Sequence, residues 1–237
     1  MQKLPGITSG TLPRRPSILC LCVCLTLAGC GNSPVSSAAG YFQEGILGGK
    51  DLAMSRQDVF KIPYASIAVR LARGPQAFVV LAKTTPQTQE WIAADKHLID
   101  TQNGRITKTI GFDTDLTQTS FIKPDPLLNH LDPSQTYQTT RLIDVTDHMG
   151  PGDDTPTDSL IVTSTIACQG PRTITILGTE INTFLWTERT TAQDQKWVQT
   201  NKFWQDQHDK TIWKSQQNIA PNQPTIEIIT LRKYFGE

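Results

Sequence analysis

Thr101-Gln102-Asn103-Gly104-Arg105-Ile106 is the stretch whose reading decides the fold. A two-residue loop in a type I′ turn needs positive φ at both central positions, and Asn-Gly supplies that at least cost. A hairpin closing on Asn103-Gly104 puts Gln102 opposite Arg105, Thr101 opposite Ile106 and Ile99 opposite Lys108. The flanks then have to be strands, which turns an ambiguous neighbour into strand as well. Gln89–Asp95 carries Trp91, and its spacing to Leu98 and Ile99 would also suit a helix.

Working outward, Ala65–Leu71 alternates, with Ile67, Val69 and Leu71 on one face. Arg73-Gly74-Pro75-Gln76 turns the chain into Ala77-Phe78-Val79-Val80-Leu81-Ala82, which is apolar throughout. Such a run predicts a central strand covered on both faces. Residues 112–135 contain three prolines and read mostly as loop. Tyr137–Val145 reads as a strand, and the aspartate-rich stretch 144–158 as a loop. Ser159–Cys168 alternates, which predicts Cys168 as a small buried hydrophobe beside Leu160, Val162 and Ile166. Gly170-Pro171 predicts a turn into a separate strand, Arg172–Leu177. Thr179–Glu188, Lys196–Asp206, Thr211–Gln217 and Thr225–Leu231 follow. These make about eleven or twelve strands with regular turn spacing. One short helix is expected before Pro63, capped by Ser55 with Asp58 three residues on. The fold class is all-β: an antiparallel two-sheet sandwich or incomplete barrel with one or two short helices.

Ahead of this body lies a segment of another kind. Lys3, Arg14 and Arg15 form a basic region, and Ile18–Leu27 is an apolar run too short to cross a bilayer. Leu27-Ala28-Gly29-Cys30 then resembles the lipobox of bacterial lipoproteins. The resemblance implies cleavage before Cys30 and lipidation of its thiol. An ordinary signal peptide with a coincidental cysteine is the alternative. Gly31 stands where an Asp would imply retention in the inner membrane, so the resemblance implies the outer membrane. The expected organisation is a signal peptide at 1–29, a lipidated flexible tether at 30–55 and a single β-sandwich domain at 56–237.

The chain has 22 basic and 22 acidic residues. Without Lys3, Arg14 and Arg15 the mature part is weakly acidic, which argues against a nucleic-acid partner. Of the five cysteines, Cys20, Cys22 and Cys24 lie in the apolar run and Cys30 in the lipobox. Cys168 is left alone, so neither an internal disulfide nor a cysteine-based zinc site is expected. The four histidines have no metal-ligand spacing, and Asp144, Asp147, Asp153, Asp154 and Asp158 do not match a calcium loop. There is no Gly-x-Ser-x-Gly and no phosphate-cradling glycine loop. No catalytic residue, metal or cofactor is expected.

A set of strand motifs carries a more specific resemblance. Pro63-Tyr64-Ala65-Ser66 precedes Gly74-Pro75-Gln76-Ala77-Phe78-Val79-Val80-Leu81-Ala82. Trp91, Asp95, Thr101, Gly104-Arg105 and Lys108-Thr109 follow, then Asp115-Leu116 and Asp125-Pro126-Leu127. Trp197, Asn201, Phe203-Trp204, Asp206, Ser215 and Gln217 stand near the end. In order and spacing this resembles the YjbF/GfcB family, the group 4 capsule polysaccharide lipoproteins. The resemblance implies a β-sandwich lipoprotein of the cell envelope, anchored in the outer membrane and facing the periplasm. It implies a non-enzymatic accessory role in making or exporting capsular or secreted polysaccharide. The partners implied are other envelope proteins and the polysaccharide itself. A glycan-modifying enzyme and a carrier of lipid or lipoprotein are the alternatives. Only Cys30 carries over as a functional residue. Trp91, Arg105, Trp204 and Trp213 are candidate contacts for glycan or partner, against a plainer reading in which the tryptophans pack the core and Arg105 pairs with Asp100 on the surface.

Overall fold

The structure is a computed structural model that describes residue 46 and residues 51–148, 157–192 and 197–236. The chain divides into two compact units, 1–32 and 33–237. The first unit, the lipobox and most of the expected tether lie outside the described residues.

Twelve strands form one antiparallel sheet that curls into a nearly closed barrel. They are β1 (Ser66–Leu71), β2 (Gln76–Thr84), β3 (Gln89–Ile92), β4 (Leu98–Gln102), β5 (Arg105–Ile110), β6 (Thr114–Phe121), β7 (Thr136–Asp147), β8 (Thr157–Ile176), β9 (Thr179–Ala192), β10 (Trp197–Asp206), β11 (Ile212–Gln217) and β12 (Ile226–Arg232). The order around the sheet is β5-β4-β3-β2-β1-β12-β11-β10-β9-β8-β7-β6. Of the two expected architectures this is the incomplete barrel. The two ends of the sheet, β5 and β6, are consecutive in the chain, so the seam falls at the turn Gly111–Asp113.

No ladder closes the seam; side chains do. Thr109 Oγ1 on β5 accepts from the Leu116 amide on β6 at 2.9 Å and donates to Asp115 Oδ1 at 3.0 Å. Asp115 also accepts from the amides of Gly111 and Phe112. One buried Thr–Asp pair thus supplies the bonds that two edge strands would otherwise leave unmade.

The hairpin at Asn103-Gly104 forms as expected, with φ of 42° and 78°. Gln102 faces Arg105 and Thr101 faces Ile106. Beyond them a bulge between Asp100 and Thr101 shifts the register, so Ile99 faces Thr109 rather than Lys108. The run 77–82 behaves as a two-sided strand. Ala77 and Val79 point into the barrel, and Phe78 points outward beneath a second apolar layer. The helix α1 (Arg56–Lys61) begins at Ser55 with both halves of the capping box present.

Three expectations need correction. Residues 114–121, read as loop, form β6, whose polar composition reflects its place on the sheet's edge. Gly170-Pro171 does not end a strand, because β8 runs through it on a bulge between Cys168 and Pro171. Pairing of β8 with β7 stops at Ala167, so Pro171 lies where no neighbour needs its missing N–H. The same bulge leaves Cys168 half-buried rather than buried.

The interior runs apolar, polar, apolar along the strands. Val162 and Ala192 belong to one apolar cluster, with Ile99, Ile106, Ile143 and Trp91. Ile166, Trp186 and Phe203 belong to another, sealed by Leu127 and Leu131 from the loop after β6. Between them on the same inward faces stand Arg141, Ser164, Glu188, Thr190 and Asn201. A third cluster lies outside the barrel wall. There α1 and the projecting tip of the β8–β9 hairpin cover Ala68, Phe78 and Leu231. Burying a Phe such as Phe78 contributes about 2 kcal/mol, so this outer layer is part of the fold's stability.

Candidate functional site

The candidates read from sequence separate into two groups. Trp91 is 3% exposed, and its Nε1 donates to Thr101 Oγ1 at 2.9 Å, so its ring is interior packing. Arg105 is 1% exposed and makes no surface pair with Asp100. Trp204 and Trp213 lie half-buried on the outer face. Cys30 lies outside the described residues.

Arg105 is the centre of the buried polar layer. Its Nε and Nη2 donate to the two oxygens of Asp125, and its Nη1 donates to Glu188 Oε2 at 2.9 Å. Glu188 also accepts from Arg141 Nη1 at 3.1 Å and Asn201 Nδ2 at 2.8 Å. Asp125 in turn caps the short 3-10 turn Pro126–Leu128 by accepting from the Leu127 amide. Phe203 lies 5.3 Å beneath the Arg105 guanidinium. Burial alone would push the Glu188 carboxyl up, but Arg105 and Arg141 outweigh it and hold Glu188 well below the usual carboxylate range. Burial pushes Arg105 down, and its two carboxylates reverse that and raise it. Arg141 is lowered by burial, with one carboxylate partner and Arg105 nearby. Two cations and two anions therefore neutralise each other. A catalytic acid needs a raised pKa and access to substrate; Glu188 has neither.

The outer face holds a site with room for a ligand. A groove of about 400 Å³ runs between α1, the β8–β9 turn, β11 and the chain after β12. Ile176, Leu177, Ile181, Trp213 and Leu231 make an apolar floor. Phe60 and Phe235 form the rim, 50% and 84% exposed. Arg56, Arg232 and Lys233 also line it. The Arg56 and Arg232 guanidinium carbons stand 5.2 and 5.6 Å from the Phe60 ring centroid.

Local chemistry places each wall. The capping box starts α1 so that Arg56 and Phe60, one helical turn apart, share a face. The β8–β9 turn is Leu177-Gly178, both at positive φ. Asn is the favoured first residue of such a turn, and a leucine there costs about 1 kcal/mol or more of backbone strain. Packing of Leu177 in the outer cluster offsets that cost. Trp213 sits at a bulge in β11, where Trp204 pairs with Lys214 and Gln205 with Ile212. The Trp213 Nε1 donates to Asp206 Oδ2 at 2.8 Å, and Lys233 Nζ lies 4.3 Å over its ring. Sequence spacing brings out Trp213 alone; Leu177, Phe60 and the 231–235 segment join it only through the curl of the sheet.

The comparisons with known proteins agree with this architecture. The profile of the family described as "Group 4 capsule polysaccharide lipoprotein gfcB, YjbF" matches residues 40–231. Lipoprotein GfcB of Escherichia coli K12 is 27% identical over 218 residues, 92% of this chain and 98% of GfcB. Lipoprotein YjbF of the same organism is 30% identical over 115 residues, 48% of this chain and 53% of YjbF. The crystal structure of the hypothetical lipoprotein YmcC from Escherichia coli K12 superposes with a TM-score of 0.69 at 25% identity, covering 76% of this chain and 90% of YmcC. A relationship that spans most of the chain in sequence and in fold makes this protein a member of the YjbF/GfcB family of group 4 capsule polysaccharide lipoproteins.

Proposed function

We propose that this protein is a non-enzymatic outer-membrane lipoprotein, lipidated on Cys30 after loss of residues 1–29, that supports capsular or secreted polysaccharide production by docking to other envelope proteins or to the glycan. The capsule-related family membership supplies the process. The observation that carries the non-enzymatic part is the closed charge balance of Arg105, Arg141, Asp125 and Glu188, all buried within the barrel. Carboxylates spent on holding the fold are poor acids and bases for glycoside cleavage. A docking protein on a lipid anchor works through local concentration, because tethering lets weak contacts suffice.

The test uses a strain lacking the gene, complemented at native abundance in two ways. One form keeps its own N-terminus. The other carries a non-lipid signal peptide and Cys30→Ser, so it is released as a soluble protein. The lipidated form is expected to restore surface polysaccharide and the soluble form to leave output low, with the folded domain present at equal level. Full restoration by the soluble form overturns the docking role.

A further inference from the structure

We propose that the outer groove binds one acyl chain of an anionic membrane phospholipid, with its phosphate against Arg56 and Lys233. The floor of Ile176, Leu177, Ile181, Trp213 and Leu231 offers apolar contact. Its volume of about 400 Å³ lies in the usual range for small-molecule sites. Charge complementarity selects the head group. Among the described residues three cations line the groove, and no carboxylate does. Lys233 meets Asp209 at 3.2 Å, whereas Arg56 and Arg232 meet no carboxylate among the described residues. Arg56 donates to the Thr179 hydroxyl, and Arg232 to the Ile62 carbonyl.

A sugar fits the same walls poorly. The Trp213 N–H is already bonded to Asp206, and Lys233 occupies one face of its ring. The floor therefore keeps few donors and acceptors for hydroxyl groups. The mouth instead shows aromatic surface at Phe60 and Phe235 beside cations, the pairing that suits a membrane interface. Tyr64 and Tyr234, next to these segments in sequence, are also about half exposed. The weakly acidic mature chain conceals this local basic site. A family of lipoproteins works within reach of phospholipid, which makes phospholipid rather than free fatty acid the source of the chain.

The test uses the full lipoprotein purified from membranes and reconstituted in phosphatidylcholine vesicles. The vesicles carry a trace of phosphatidylglycerol with a photoactivatable group on its acyl chain. Cross-linked peptides are mapped after illumination. Labels are expected on peptides holding Ile176–Ile181, Trp213 and Leu231–Phe235. The Arg56→Gln, Lys233→Gln double variant is expected to lose labelling about thirtyfold, since each cation near an anionic surface contributes about fivefold. Ile181→Trp fills the floor and should abolish the label, and circular dichroism with thermal melting checks that both variants fold. Equal labelling by a photoactivatable phosphatidylcholine overturns the charge selection. Equal labelling at exposed Ile122, Ile161 and Val198 overturns the site. Labelling by a photoactivatable fatty acid but not by phosphatidylglycerol overturns the phospholipid as occupant. Displacement of the lipid label by an apolar peptide overturns it in favour of a protein partner.

Discussion

Arg105 Nη1 on β5 and Glu188 Oε2 on β9 stand 2.9 Å apart, joining strands from opposite parts of the sheet through the barrel's interior. With Arg141 and Asp125 they form a neutral cluster that is nearly free of solvent. A buried pair of this kind adds little net stability over an apolar core, but removing one member leaves a buried charge uncompensated.

Glu188→Gln is therefore expected to destabilise the domain by about 3 kcal/mol. Urea unfolding of the variant should show a lower midpoint with an unchanged slope. A loss under about 1 kcal/mol would mean that water or another group compensates Arg105 and Arg141.

The pH dependence follows from the same carboxyl. Glu188 is held below its unfolded value, so the unfolded chain binds its proton first as pH falls. The stability it confers is fully present above about pH 4.3 and is lost progressively below it, down through the folded value. Stability curves of the wild-type protein and Glu188→Gln should be parallel near neutrality and converge on acidification. A gap that stays constant to low pH would refute the assignment.

At the hairpin, Gly104→Ala meets two obstacles. The position has φ of 78°, and an added Cβ would lie 2.6 Å from Ile212 Cβ. Backbone strain and overpacking together should cost about 3 kcal/mol. Thermal melting checks this, and a neutral result would show that β11 can move away from the turn.

Asp115→Ala removes the acceptor for Thr109, Gly111 and Phe112 at the seam and the partner of His148 Nε2 at 3.1 Å. The cost should be about 2 kcal/mol. It should appear as faster amide hydrogen exchange in β5 and β6, with β1, β2 and β12 unchanged. Uniform acceleration across the sheet would mean that the seam has no local opening mode.

Much of the fold was legible because short-range chemistry states it. Asn103-Gly104 names its own turn type, Ser55 and Asp58 cap their own helix, and the apolar run 77–82 can only be a strand covered on both sides. Edges were harder to read. β6 is polar because it has a neighbour on one side only, and Pro171 is tolerated where β8 has lost its β7 partner. A bulge in the β10–β11 hairpin likewise gives Trp204 the partner Lys214 rather than Trp213, although the hairpin itself forms and the Asp206 amide donates to the Thr211 carbonyl.

By itself the sequence determined the Asn103-Gly104 hairpin, the Ser55 helix cap and the family, because these depend on neighbours along the chain. Only the tertiary structure decided that Arg105 is buried between Asp125 and Glu188, 20 and 83 positions away, and that Thr109 and Asp115 close the barrel. It alone assembled Phe60, Leu177, Trp213 and Phe235 around one groove. Burial and charge pairing are properties of where the sheet curls, and the twist that closes twelve strands into a barrel sums over the whole sheet rather than residing in any one segment.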